Sequence, residues 1–170
     1  MKIPRFLKHF SVFVDGNGYA GIAEEVNLPK LSVKMEEFRA GGMDIPIDID
    51  LGQQKLECDF VLAEYNEEVL RLWGIRDHVQ VKVNFKGAIE RDDKSAEFEP
   101  VDVIVQGRWR ELDFGSWRPG DKTVLKVQMS VGYFKYSQKG RELVEIDAVN
   151  MKRIINGKDM LQGARSAIGI

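Results

Sequence analysis

Apolar and polar residues alternate with period two along most of this chain. His9 to Val14 predicts a short strand, closed by Asp15-Gly16-Asn17-Gly18, a strong hairpin signal. Ile22 to Leu28 predicts a second strand. In a third, Leu31, Val33 and Met35 alternate with Ser32, Lys34 and Glu36. The pair Gly41-Gly42 interrupts the pattern, which resumes from Ile45 to Leu51 with Pro46 inside it. Proline cannot donate to a ladder, so this segment reads as an edge strand or a free extended arm. Leu56 to Leu62 is a clearer strand, Val79 to Phe85 another, and Gly87 to Pro100 reads as a polar loop.

Two candidates are unusually long. In Val101 to Phe114, Val101, Val103 and Val105 oppose Asp102, Ile104 and Gln106. In Thr123 to Ser137, Leu125, Val127, Met129, Val131 and Tyr133 face one way and Lys126, Gln128 and Ser130 the other. A typical strand has ~5–6 residues, whereas fifteen extended residues reach ~50 Å. Either Gly132 marks a bulge, or the hairpin between these strands projects and a neighbour completes it. The polar second face implies water along one side of the sheet. One helix is predicted, capped by Asn66, opened by Glu67 and Glu68 and ended near Gly74, with Val69, Leu72 and Trp73 on the packed face. The fold expected is a single all-β domain over residues 1–170, an antiparallel sandwich or barrel with one short packed helix.

Composition changes this picture little. The chain has 170 residues, 44% of them hydrophobic and 31% charged, and a formal net charge of -2. Near neutrality is a poor balance for a protein that grips phosphate. The single cysteine excludes an intrachain disulfide and a cysteine metal cluster. Cys58 lies on the apolar side of its strand and reads as a buried hydrophobe rather than a reactive thiol. The first residues lack an apolar signal region, and no run approaches the ~20 residues of a membrane helix. Synthesis and folding in the cytoplasm are expected, without membrane insertion.

Candidate chemistry is thin. Gly16-Asn17-Gly18-Tyr19-Ala20-Gly21 matches G-x-G-x-x-G, but only seven residues separate it from Pro29, too few for the helix a dinucleotide site needs. It reads as a turn. Asp48 and Asp50 share a strand face, yet Gly52, Gln53 and Asp59 fail the EF-hand template and no cleft is indicated. They read as a solvated or partner-facing row. His9 and His78 form no i, i+4 pair, and no nucleophile motif is present, so neither a catalytic residue, a cofactor nor a metal is expected. Arg108-Trp109-Arg110 and Trp117-Arg118 interleave aromatics with arginine, as single-strand-binding barrels do. Glu111, Asp113 and Asp121 sit among them, so the preferred reading is that the tryptophans pack and the arginines pair with those acids.

Two blocks carry a family resemblance: "LPKLSVKMEEFRAGGMDIPIDIDLGQQKLE" and the carboxy-terminal "EIDAVNMKRIINGKDMLQGARSAIGI". Through them nearly the whole chain resembles the major tail tube proteins of contractile-tailed bacteriophages, a family that includes R-type pyocin tubes; the region from Arg91 to Glu99 fits least well. The resemblance implies a tail-tube fold, six-subunit rings stacked into a hollow tube, and a role that is structural rather than enzymatic. It implies a place in the virion tail, sheath, baseplate and tape-measure proteins as partners, and DNA only as transient cargo. An arm over about 37–53 would then contact an adjacent subunit or ring through Arg39, Gly41, Gly42, Met43, Ile45, Ile47 and Ile49. A second arm is expected at about 150–170, and Lys126, Gln128 and Ser130 are the lumen-facing candidates. A pyocin-like tube is the alternative, and a nucleic-acid-binding barrel a remote one.

Overall fold

One forked strand organises the molecule. The computed structural model describes residues 3–19, 21–78, 80–93 and 97–170. Its strands are β1 (Arg5–Val14), β2 (Asn17–Gly18), β3 (Ala23–Asn27), β4 (Val33–Phe38), β5 (Ile47–Gln53), β6 (Leu56–Leu62), β7 (Val81–Arg91), β8 (Phe98–Asp113), β9 (Leu125–Gln138), β10 (Arg141–Asp147), β11 (Lys152–Ile155) and β12 (Lys158–Asp159). Helices α1 (Glu67–Arg71) and α2 (Gln162–Ile168) complete it. Among the described residues every strand pair is antiparallel, and the main sheet runs β12-β11-β10-β9-β8-β7-β1-β2. On its second edge β9 pairs with β6 from Leu125 to Val131 and with β10 from Tyr133 to Gln138. Gly132 is skipped where Gly107 opposes Val131 and Gln106 opposes Tyr133. This bulge is where the sheet divides, and the Gly132 carbonyl accepts from Ala148 N–H at 2.9 Å.

The division makes two layers. β3, β6, the first half of β9 and the second half of β8 form one; β10, the second half of β9, the first half of β8, β7 and β1 form the other. Phe60 of β6 meets Phe85 of β7 edge-on at 6.0 Å, and Trp109 of β8 at 5.8 Å. Around it Val12, Val83, Val105, Val127 and Met129 are fully buried. The period-two pattern supplies these positions, since alternate side chains share a face. The long strands therefore have a reason: each serves both layers.

The bulge also moves residues between faces. Phe134 is buried in place of Tyr133, which was expected inside. Tyr133 instead donates its hydroxyl to Glu145 at 3.1 Å, and burial with that carboxylate pushes the phenol up to about 12. The expected 87–100 loop is shorter, because β7 runs to Arg91 and β8 begins at Phe98. Residues 94–96 of that loop, and Val79 at the predicted start of β7, lie outside the described residues.

Asp15 (φ 46°) and Gly16 (φ 86°) make the β1–β2 turn, which matches the two-residue hairpin type the sequence signals. Helix α1 starts where expected, with the Asn66 side chain accepting from Glu68 and Val69 N–H. Its packed face differs: Val69 is buried, Leu70 and Leu72 lean on the core, and Trp73, past the last helical turn, is exposed. Helix α2 was not foreseen. It lacks a side-chain cap and a buried residue, so no apolar period marks it. Arg165 holds it, bonding Asp159 and donating to the Met151 carbonyl at 2.7 Å.

Candidate assembly surfaces

β4 and β5 form a separate two-stranded ribbon that pairs with no other described strand. Phe38 opposes Ile47 and Glu36 opposes Ile49, which puts Phe38, Ile47 and Ile49 on one face with Glu36 at its end; Glu37 opposes Asp48 and Met35 opposes Asp50 on the other. The three apolar residues of the first face are each about half exposed. A two-stranded hairpin alone is marginal in water, and this one leaves its apolar residues half open. At the tip Gly42 takes φ 90°, Met43 N–H donates to Ala40 C=O at 3.2 Å, and Arg39 Nε to Met43 C=O at 3.3 Å. Gly41 needs no unusual φ, and its exposed place beside Gly42 leaves open space. Pro46 precedes β5 rather than lying within it, and Ile45 beside it is 70% exposed.

The acids of this segment are not all free. Arg153 of β11 meets Asp50 at 3.1 Å. The Gly52 N–H, then Arg153, hold the Asp50 carboxyl below its usual range. Gln53 Nε2 and Gln54 N–H both donate to the Ser32 carbonyl, at 2.8 and 2.7 Å, and close the ribbon's base. Arg153 belongs to the carboxy-terminal segment expected as an arm. That segment is anchored, since Lys152–Ile155 pairs with β10, while Val149, Met160, Ile168 and Ile170 are exposed. The reading of the sequence missed Arg153, because a contact between residues 50 and 153 leaves no local pattern.

Lys126, Gln128 and Ser130 do share the polar outer face of the first layer, opposite Val61, Asp59 and Glu57. Lys126 reaches Asp59 at 3.8 Å, Glu57 is held by Lys55 at 2.7 Å and Arg110 at 3.3 Å, and Arg110 also bonds Gln128. Lys55, then Arg110, lowers the Glu57 carboxyl. Charge alternates across this face and is largely paired. The arginine–tryptophan stretches divide. Trp109 is buried and donates Nε1–H to Val69 C=O at 2.9 Å, but Arg110 pairs with Glu57 rather than with Glu111, Asp113 or Asp121. Trp117 does not pack into the core: it is 81% exposed, donating Nε1–H to Tyr65 Oη at 2.8 Å with the two rings tilted at 6.4 Å.

Cys58 is buried and its thiol is pushed up to about 12, chiefly by burial, which leaves it inert. Among the described residues no group of three His, Cys, Asp or Glu is placed to hold a metal.

A third surface was not legible in the sequence. β3 and β6 cover only part of the second layer. Beyond them Leu7 and Phe10 of β1, Val101, Tyr136, Val26 and Leu28 line an open apolar groove of about 310 Å³. Beside it Glu99 clamps β1 to the β9–β10 turn, with Arg5 and Lys139 each at 2.7 Å and Gln138 at 3.3 Å. Lys139, then Gln138 and Arg5, lowers the Glu99 carboxyl.

Comparison with known proteins gives one family. Residues 4–169 match the profile of the phage tail tube protein FII family. The tail tube protein of Escherichia phage P2 is 36% identical over 173 aligned positions, covering 100% of both chains. The major tail tube protein of Serratia phage KSP20 is 32% identical, covering 94% of this chain and 92% of its own. Among solved structures, the sheath/tube terminator of an extracellular contractile injection system, PVC, in its extended state superposes with a TM-score of 0.61 at 12% identity, covering 81% of this chain and 99% of its own. The sheath–tube complex of the same system gives 0.59 at 11%, covering 79% and 91%. At these identities the structural matches speak for the fold.

Proposed function

The chain belongs to the phage tail tube protein FII family and is a structural subunit of the tail tube of a contractile-tailed phage; from that premise we propose how it assembles. Six copies close into a ring and rings stack into a hollow conduit inside a sheath, joined to a baseplate and measured by a tape-measure protein. DNA passes through as transient cargo. Subunits are made in the host bacterial cytoplasm and assemble there into the virion tail, without a cofactor or a catalytic step; no catalytic activity is indicated by the relatives. The observation that carries this is the ribbon, whose face of Phe38, Ile47 and Ile49 stays half exposed in the single chain. The segment 37–53 is the principal arm, with Arg39 to Met43 forming its tip and Ile45, Ile47 and Ile49 its contact row. The exposed Ile168 and Ile170 make the end of 150–170 a second contact. Lys126, Gln128 and Ser130 face the lumen in this reading. Their neighbourhood of paired charges supports it, because a passing phosphate backbone meets no stripe of unpaired cations that would retain it.

Electron microscopy of the purified protein at rising concentration tests the proposal. Rings and then hollow rods are expected, and a chain with 37–53 replaced by a short turn should fold but form neither. A wild-type protein that stays monomeric at every concentration would overturn it. The fold is shared with chains of an extracellular injection system's sheath and tube, so the fold by itself also fits a second reading, a bacteriocin-like tube with the same assembly and another cargo. Particles that carry DNA-filled heads in the producing cell would decide for the first.

A further inference from the structure

We propose that the ribbon of one copy supplies the missing layer over the apolar groove of the next copy in the ring, its Phe38, Ile47 and Ile49 packing on Leu7, Phe10 and Leu28. This rests on the ring assembly proposed above and specifies which two surfaces meet. Four observations converge on it.

The groove is a sandwich without its second sheet. Beyond the reach of β3 and β6, no described residue covers the inner face of the second layer, and Leu7, Phe10 and Leu28 remain substantially exposed. What such a face lacks is a short sheet with one apolar side, and the β4–β5 ribbon has that form. A small-molecule occupant fits less well, because a ligand cleft sets a few convergent polar groups among its apolar walls. Among the described residues that line the groove Lys86 is the one charged residue, and its ammonium sits over the Phe13 ring.

The chain's own ribbon is turned elsewhere. The ion pair of Asp50 with Arg153 ties it toward β11, whereas the groove opens between β1 and β3. β11 and β1 stand near opposite ends of the main sheet, with β10, β9, β8 and β7 between them. Two different, complementary surfaces at opposite ends make a head-to-tail interface, the kind that closes into a ring rather than a two-fold dimer.

Charge agrees with shape. Residues 36–50 carry Glu36, Glu37, Asp44, Asp48 and Asp50 against the single base Arg39. β1 carries Arg5, Lys8 and His9 and no acid. Arg5 is engaged by Glu99, Lys86 by the Phe13 ring and Asp50 by Arg153, which leaves Lys8 to meet the other ribbon acids.

Mixing two disabled variants tests this directly. Ile47→Asp keeps a sound groove and a spoiled ribbon; Leu28→Asp keeps a sound ribbon and a spoiled groove. Each alone should remain monomeric in sedimentation velocity at concentrations where the wild type assembles. Mixed 1:1 they should form a heterodimer and nothing larger, since one good interface remains per pair. A mixture that stays monomeric, or either variant assembling like the wild type, would overturn the docking. A second arm covers misfolding of an aspartate variant: a chain with both Ile47→Cys and Leu28→Cys, oxidised after assembly. The buried Cys58 stays out of that reaction. A ladder of disulfide-linked oligomers on a denaturing gel, absent from each single-cysteine chain, is expected. A monomer band alone from particles that are rings in the microscope would refute the docking and leave the tube reading standing. An intrachain disulfide would show the ribbon in its own groove and refute it equally. A wild type that forms no ring would remove the assembly reading, and the docking with it.

Discussion

Replacing Gly107 with alanine would place a methyl group 2.0 Å from the Ser130 carbonyl oxygen, 3.0 Å from its carbon and 3.1 Å from Val131 Cα. All three are backbone atoms of β9 at the fork, so no side chain can swing aside. Ordinary contact begins at 3.4 Å, and β8 and β9 would have to part by 3.4 − 2.0 = 1.4 Å at that point. Overpacking of this kind costs about 1–3 kcal/mol. Parting the strands also forfeits roughly two ladder hydrogen bonds at ~1 kcal/mol each. Removing glycine's freedom from the unfolded chain returns about 0.4–1 kcal/mol. The net loss is about 2–4.5 kcal/mol, and with a urea slope of ~2 kcal/mol/M the midpoint should fall by about 1–2.3 M. Gly87→Ala is the control. Its methyl would press on the flexible tip of Leu7, at 3.0 Å, and rest in ordinary contact with Val101 Cβ at 3.7 Å, and should leave the midpoint within ~0.5 M. Tryptophan fluorescence reports the transition through buried Trp109, at concentrations where the midpoint no longer depends on protein and assembly adds nothing. Equal midpoints for the two variants would refute the steric account of the fork.

Three further outcomes are expected. Cys58 should resist a thiol reagent at pH 8 until urea unfolds the chain. Its raised pKa means the stability it contributes is present below its usual value of 9.0 and lost as pH rises toward about 12, so immediate labelling of native protein would contradict its burial. Glu99→Gln should lower the urea midpoint at pH 7. The lowered carboxyl contributes stability above its ordinary value of 4.5 and loses it as pH falls through the folded value, so the two proteins should converge in acid; a constant gap down to low pH would show that the clamp is not ionic. Arg153→Ala frees the Asp50 carboxylate, and trypsin should then cut sooner after Lys34 and Arg39, read by mass spectrometry of the first fragments; an unchanged rate would mean that the ion pair does not restrain the ribbon.

Legibility tracked range along the chain. β6, the cap of α1 and the polar row of Lys126, Gln128 and Ser130 follow from alternation and capping, which are local, and they stand where the pattern put them. The long strands raised the choice between a bulge and a projecting hairpin, and the structure has the bulge at Gly132. Tyr133 was assigned inward because a period carried through a bulge inverts after it. The start of β1 at Arg5 was missed for the same reason, since its register slips between Leu7 and His9. Arg153 with Asp50, Arg5 with Glu99 and the groove under Leu7 join residues far apart in sequence, and a single sequence holds no trace of them. Trp117 was expected to pack on a general preference of tryptophan, which its loop between two strands does not satisfy.

The sharing of β8 and β9 by both layers has a mechanical consequence. In an ordinary sandwich, sliding one sheet over the other displaces only side chains. Here such a slide must bend two continuous covalent strands at Gly132 and Gly107, where ladder bonds anchor them on either side. A subunit built this way therefore meets shear between its layers with backbone stiffness, a quality that suits a tail tube.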